Sequence, residues 1–565
     1  MQTGVTVFRM MNVLKGVGRS DGLRLWSDIH DALNAEESIE SIKLDDMPYA
    51  FGARFQLEKG CLPGTRELFL QEIREILNNP DDDAPRVCLL TGVAGSGKSA
   101  VAHSIARWYS EQQRLGSSYC FASTDMANRN PKNLFTTIAR DLCDHDVEYK
   151  AALWQVVKDD RSLRTSQSPL EQIETLIVKP CKDLHPVGPL VVVIDALDES
   201  GNPTSRQHIL QAISKHITEN SLPKHLRFLI TARPEDDILA ELPTGPRVIH
   251  KYMGDVASEV VDEDIRKFIH HALHRYSELE SCWPGQEWCR LLVRHSQNLF
   301  QWASAACNFI RGLGDAAEEL DVNDRFEIVV QAGNNEGVHP LDKLYRTILE
   351  QRFANNNAQS RFREVMAIVL ALREPLPLTS LSALFADRLK VANIIRRLAS
   401  LLDGVLDEER PIRPLHTSFR DFLLDDTRSS TFHISIQPHH HLCLGQALLA
   451  CMRKMLRFNI CNLKDSRTPN AAIPDLPNRI TKAIPPHLSY SCLYWMDHLR
   501  HPDCTPVLLN EVTLFIKDKF PYWLEAISIL SLSSPTTSIL SATETCITLR
   551  KWAKVRLDVI ISGEC

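Results

Sequence analysis

The sequence predicts a parallel α/β sheet domain with helices on both faces, followed by helical and winged-helix domains and an all-α C-terminal segment. Three observations carry this. Residues 85–240 alternate apolar, β-branched runs with helix-forming segments, the pattern of a parallel sheet with crossover helices. Within them Leu190-Val-Val-Val-Ile-Asp195 is continuously apolar until its last residue, as a strand buried on both faces must be. From about residue 255 strand signals thin out and apolar residues recur at three and four.

Residues 1–45 are a short lead in which Leu25, Ile29 and Leu33 have helical spacing, too small for an independent domain. Its basic start, Arg9, Lys15 and Arg19 with no acid before Asp21, has a transit-peptide flavour but reads as a helix remnant. Residues 46–84 are a linker and helix, closed by the polar, proline-flanked stretch Asn78–Pro85, an exposed loop before the first strand. Val87–Leu90 is that strand, Ser117–Ala122 the second, and Asn130–Leu142 the helix after it. Leu190–Asp195 follows as a strand that doubly wound logic places beside the first, and Leu226–Ile230 as another. The helical domain, 241–355, is begun by Val260, Ile265, Phe268 and Ile269. Residues 356–430 hold two helical stretches, a Leu-rich third and Val405–Leu415, which reads as a β-hairpin wing; residues 431–565 are helical and without a detectable repeat.

Composition narrows the functional class. A chain of 565 residues exceeds what one hydrophobic core supports, and 44% hydrophobic with 24% charged residues is ordinary for a globular protein. A net charge of −7 and the lack of a basic stripe interleaved with aromatics exclude nucleic acid as an implied partner. No apolar run approaches the roughly 18 residues of a membrane span. The 15 cysteines are odd in number, scattered and free of C-x-x-C pairs, so they read as thiols of a reducing, cytoplasmic compartment. His439-His440-His441 is not expected to bind metal, because adjacent side chains on a helix point apart; His270 and His274 have i, i+4 spacing but lack a third ligand.

The chemistry lies at three strand ends. Gly92-Val93-Ala94-Gly95-Ser96-Gly97-Lys98-Ser99 is a complete G-x-x-x-x-G-K-[ST] phosphate loop, entered by a strand and opening a helix at Ala100, which makes the sheet a P-loop NTPase core. Its glycines allow a tight turn whose N–H groups face a β-phosphate, Lys98 reaches the β- and γ-phosphates, and Ser99 is placed to ligate Mg²⁺. Asp195, at a strand's C-terminal end, is the outer Mg²⁺ partner. Asp198 and Glu199 add two carboxylates, one of which could polarise the attacking water; otherwise they are acids at a helix start. Arg233, after the strand Leu226–Ile230, either senses the γ-phosphate or caps the strand.

These segments resemble the NACHT family of signal-transducing (STAND) NTPases, in detail its fungal, NLR-like members. The family's second motif is an apolar run, Asp, a small residue, an apolar residue and Asp-Glu, and Ile194-Asp195-Ala196-Leu197-Asp198-Glu199 fits it throughout. Cys61-Leu-Pro-Gly-Thr65-Arg66 is similar to the family's lead-in. Asn298-Leu-Phe-Gln-Trp302-Ala303, Leu341-Asp-Lys-Leu-Tyr345 and Leu415-His416-Thr417-Ser418-Phe419-Arg420-Asp421-Phe422-Leu423 resemble its helical and winged-helix landmarks, so the likeness spans about residues 45 to 500. The resemblance implies a nucleotide switch: ADP locked between sheet and winged helix, with His416 touching its β-phosphate, and exchange for ATP releasing the clamp. Read from the residues alone, His416 is a packing imidazole between Leu415 and Thr417. The implied activity is slow hydrolysis of ATP, with GTP left open, and the implied partners are a homo-oligomer on activation and other proteins of an innate-immunity or heterokaryon-incompatibility pathway. A nucleotide-binding scaffold without significant hydrolysis is the alternative. The N-terminal effector and C-terminal repeat array of such proteins are not legible here.

Overall fold

The computed structural model describes Leu44 and residues 47–125, 128–158, 160–182, 188–274, 285–313, 320–333, 339–385, 390–464, 473, 475–500 and 506–530. The lead expected over Leu25–Leu33 and the basic start before it lie outside the described residues. Two compact units divide the chain: Met1–Tyr49 with Lys132–His185, and Ala50–Pro131 with Pro186–Cys565.

The smaller unit is helical in its described residues. Leu134–His145 is amphipathic and buries Leu134, Phe135, Ile138, Ala139 and Leu142. Asp146 then caps the next helix, Val147–Val157: its carboxylate accepts the N–H groups of Glu148 and Tyr149 at 2.8 and 3.1 Å. The last stretch passes from Pro169–Gln172 through a π turn, Ile173–Val178, into Lys179–Cys181. Within this unit the Tyr49 hydroxyl donates to Asp141 at 2.8 Å.

In the larger unit five strands form one parallel sheet: β1 (Val87–Thr91), β2 (Leu115–Cys120), β3 (Leu190–Asp195), β4 (Leu226–Ala232) and β5 (Val248–Tyr252). Their order is β2-β3-β4-β1-β5. This corrects the expectation that the Asp195 strand lies beside the loop strand: β4 separates them, pairing Leu90 with Thr231 on one side and Ile194 with Ile230 on the other. Each strand leaves the sheet only through a crossover, so chain order does not fix adjacency. On one face Cys88, Leu90, Val191, Val193 and Leu229 meet helix α1 (Glu67–Asn78) through Phe69, Ile73 and Leu77, and helix α2 (Lys98–Glu111) through Val101, Ile105 and Tyr109. The alternate residues Val87, Leu89, Val192, Ile194, Phe228 and Ile230 are buried on the other face, which is why both strand runs are apolar at every position. Helix α3 (Pro203–Thr218) starts on Asn202, whose side chain accepts the Ser205 N–H at 2.8 Å, with Pro203 at the first helical position.

After β5 the chain is helical: α4 (Ser258–His274), α5 (Gly285–Ser296), α6 (Phe300–Ile310), α7 (Val322–Gly333) and α8 (Pro340–Arg352). In α4 the core face is Val261, Ile265 and Ile269, whereas Val260 is exposed, one position off the face expected for it. Then come α9 (Asn356–Ala371), α10 (Leu378–Phe385), α11 (Val391–Arg396) and a two-stranded antiparallel hairpin, β6 (Leu402–Asp403) and β7 (Arg413–Pro414). Of the expected wing, Val405–Leu415, residues 405–412 lie in the hairpin's loop and Arg413–Pro414 form its second strand, whereas the first strand, Leu402–Asp403, precedes the expected start. Helix α12 (Thr417–Leu424) follows, then α13 (Pro438–Met455), α14 (Leu476–Ala483), α15 (Pro486–Leu499) and α16 (Pro506–Leu530). One continuous apolar core runs from Val261 to Leu530, centred on Trp302, Tyr345, Phe362, Trp495 and Trp523. No described helix is long and apolar enough to cross a membrane.

The three consecutive histidines do not all diverge. His441 stacks on His498, but the rings of His439 and His440 lie 3.8 Å apart, with both Nε2 atoms turned to Glu364 at 3.8 and 3.4 Å. Metal binding still does not follow: His440 Nδ1 accepts the Gln437 N–H at 2.9 Å, so in the neutral ring the proton sits on the Nε2 that faces Glu364.

Glu374, after α9, accepts from Asn128 Nδ2 at 3.2 Å and from the Tyr494 hydroxyl at 3.3 Å. Burial, and next to it the charge of Asp125, pushes its carboxyl up to about 7 from 4.5. The unfolded chain therefore loses this proton before the folded one does. Stability is fully present below pH 4.5 and is lost as the pH rises through 7. Glu374→Gln keeps the hydrogen bonds without the charge, so it should match the wild type near pH 4.5 and exceed it by on the order of 2 kcal/mol at pH 8. Urea melts at the two pH values test this; an equal difference at both would show that ionisation of Glu374 plays no part.

Candidate nucleotide-binding site

The loop between β1 and α2 is a wound turn that needs glycine. Gly95 has φ +82° and Gly97, the residue before the first helical turn, has φ +99°; a Cβ on Gly95 would also come within 2.9 Å of Gln301 Cβ. Ser96 closes the turn with its hydroxyl on Val93 O at 2.9 Å. The Lys98 ammonium folds over the loop and donates to Gly92 O at 2.7 Å and Val93 O at 3.0 Å. Burial lowers the pKa of Lys98, and Asp198, Asp195 and Glu199 work against that effect. The loop is braced from outside. Gln301 at the start of α6 donates its backbone N–H to Gly95 O at 3.3 Å, and Arg66 reaches Ser96 O at 3.4 Å while its own N–H binds Asp264 at 3.0 Å.

Asp195 is buried at the end of β3, where Thr231 on the neighbouring β4 donates its hydroxyl to Oδ1 at 2.5 Å. Ala196, at φ +57°, then turns the chain so that Asp198 and Glu199 come back toward the loop. Asp198 accepts the backbone N–H of Arg233 at 3.0 Å and pairs with its Nε at 3.1 Å. Glu199 accepts the Ser123 N–H at 3.0 Å and the Thr417 hydroxyl; burial pushes its carboxyl up to about 7. Arg233 extends its Nη2 to Asp421 at 2.7 Å and to Thr417 Oγ1 at 3.3 Å. Burial opposes its charge, but Asp421 and Asp198 outweigh that and hold the guanidinium pKa above its ordinary value.

His416 sits just before α12 with an extended backbone and caps it: Nδ1 accepts the Ser418 N–H at 3.1 Å. The proton of the neutral ring is therefore on Nε2. Burial, with Lys98 and Arg233 nearby, pushes the imidazole down to about 4, so near neutral pH it is an uncharged donor. Ser418 is fixed in turn by Tyr345 of α8 at 2.8 Å, and Arg428 forms a two-pronged pair with Asp342 at 2.9 and 2.7 Å. The structure thus gathers the loop, Asp195, Asp198, Glu199, Arg233 and His416 around one place. Thr231, Ser123, Arg66, Thr417 and Asp421 join them; Arg66, Thr417 and Asp421 lie within the landmarks quoted from the sequence, but none of the five carried a site role there.

Residues 64–233 match the family model described as Nephrocystin 3, N-terminal. That range opens at the lead-in glycine, Gly64, and ends at Arg233, so it contains the loop, the Asp195–Glu199 motif and the strand-end arginine. The Vegetative incompatibility protein HET-E-1 of Podospora anserina is 23% identical over 372 residues, covering 60% of this chain. Both matches support a likeness to fungal NACHT-type proteins. The matched stretch spans only 25% of the length of that relative. In this chain all three chemistry-bearing motifs stand at the C-terminal ends of adjacent parallel strands, the edge at which such sheets bind ligands.

Proposed function

We propose that this protein is an ATP/ADP-dependent switch of NLR-like type that hydrolyses nucleotide slowly and controls self-association in a fungal self-recognition or defence pathway. The convergence of Lys98, Asp198, Glu199 and Arg233 with His416 from the far side carries this reading. The backbone of Gly92, Val93, Ala94, Gly95, Ser96 and Gly97, continuing through Ala100, would cradle the phosphates. Ser99 and the second oxygen of Asp195 suit Mg²⁺, which when bound neutralises phosphate charge. Lys98 would exchange its loop carbonyls for phosphate oxygens. The neutral Nε2–H of His416 would donate to the β-phosphate without adding charge. Of the two carboxylates after Asp195, Asp198 is taken up by Arg233, which favours Glu199 as the group that orients water, and a carboxyl near 7 is in the range of a general base. Residues 356–430, read as a winged helix, would form the clamp with their His416–Asp421 turn. Inverting a 1:99 population requires about 5.5 kcal/mol of differential binding, within reach of a γ-phosphate and its metal. The free thiols among the described cysteines fit a reducing cytoplasm, and the relative's name suggests the incompatibility pathway.

The test is to denature freshly purified protein and chromatograph what it releases. Stoichiometric ADP is expected. A protein that releases nothing and takes up neither ADP nor ATP with Mg²⁺ would remove the reading.

A further inference from the structure

Arg233 is a strand-end cation shared between the sheet and the turn after His416. Its Nε is held by Asp198 on its own side, and its Nη2 is held by Asp421 at 2.7 Å, with Thr417 Oγ1 at 3.3 Å. Thr417 and Asp421 are one helical turn apart on α12, opposite the buried face of Phe419, Phe422 and Leu423. Both side chains of the ion pair keep 30% of their surface accessible, so the pair borders open space and is not sealed in the core.

We propose that Asp421 belongs to the nucleotide site and sets its choice between diphosphate and triphosphate: its carboxylate holds Arg233 until a γ-phosphate takes that guanidinium from it. This rests on the switch reading above. A carboxylate and a terminal phosphoryl group present the same pair of anionic oxygens to a guanidinium fork, so they compete for the same N–H groups. A diphosphate leaves the Asp421 pair intact. A triphosphate brings two or more negative charges against Asp421 and around a single guanidinium, so it is bound either with repulsion or with displacement of Asp421. Displacement also frees Thr417, whose hydroxyl accepts from Arg233 and donates to Glu199. Recognition of the third phosphate, release of α12 and release of the water-orienting carboxylate thereby become one event.

Equilibrium binding of ADP and ATP, each with Mg²⁺, to the wild type, Asp421→Asn and Asp421→Glu tests the proposal. The wild type should favour ADP. Asp421→Asn should shift the ATP-to-ADP affinity ratio toward ATP by about tenfold, the order expected when one charge-assisted contact is lost. Asp421→Glu, which keeps the charge, should stay within about threefold of the wild-type ratio. A wild type that binds both nucleotides, with an Asp421→Asn ratio equal to its own, would overturn the role of Asp421 and leave the switch reading standing. So would Asp421→Glu moving as far as the asparagine variant. A wild type that binds neither nucleotide would remove the switch reading itself, and the proposal with it.

Discussion

Lys98→Ala will lose nucleotide binding by roughly a hundredfold or more and keep its fold. The ammonium is the group placed to touch two phosphates at once, and two hydrogen bonds to charged oxygens sum to about 3 kcal/mol. Its present partners, Gly92 O and Val93 O, are carbonyls at the loop's mouth that water can serve when the side chain is gone. Burial and the nearby Arg233 already disfavour its charge, so the folded state loses little with it. Titration with ADP and thermal unfolding of both proteins separate the two effects. Tight ADP binding by the variant would contradict the site as drawn, and a collapse of thermal stability would mean that the lysine holds the loop together.

His416→Ala should release ADP about tenfold faster and associate with itself more readily. Two losses combine in that variant. The α12 start loses its cap, worth about 1 kcal/mol, and the neutral Nε2 donor disappears. His416→Asn distinguishes them, because asparagine caps helices well but does not extend as far as an imidazole. Fast ADP release by both variants assigns His416 to the nucleotide. Release slowed back to the wild-type rate in the asparagine variant assigns it to capping, and unchanged rates in both return it to plain packing.

The sheet and the loop were legible because their signals are local. A phosphate loop is a contiguous octapeptide, and a strand buried on both faces is apolar at every residue, as Leu190–Ile194 is. Strand order was not, since the insertion of β4 between β1 and β3 depends on where each crossover returns. His416 illustrates a different gap. Its capping bond is local, but histidine is not among the usual capping residues, so the motif carried no expectation of a fixed tautomer or a lowered pKa. The Asp421–Arg233 pair joins residues 188 positions apart, and an Asp within Phe419-Arg-Asp-Phe422 looks like any solvated helical acid. Thr231 lay in plain view after its strand, but its bond to Asp195 follows from β4 being the neighbour of β3.

The same strand order has a consequence for biosynthesis. The loop strand β1 finds its central partner only in β4, which it meets with Leu90 opposite Thr231, and its outer partner in β5. Both come about 140 residues or more later in the chain, a separation that places the sheet among slow, non-local topologies. At ribosomal speeds β1 waits on the order of 10 s with two bare apolar faces before β4 has emerged. The loop is therefore made early but acquires its geometry late, and the nascent chain has to be kept from aggregating through that interval.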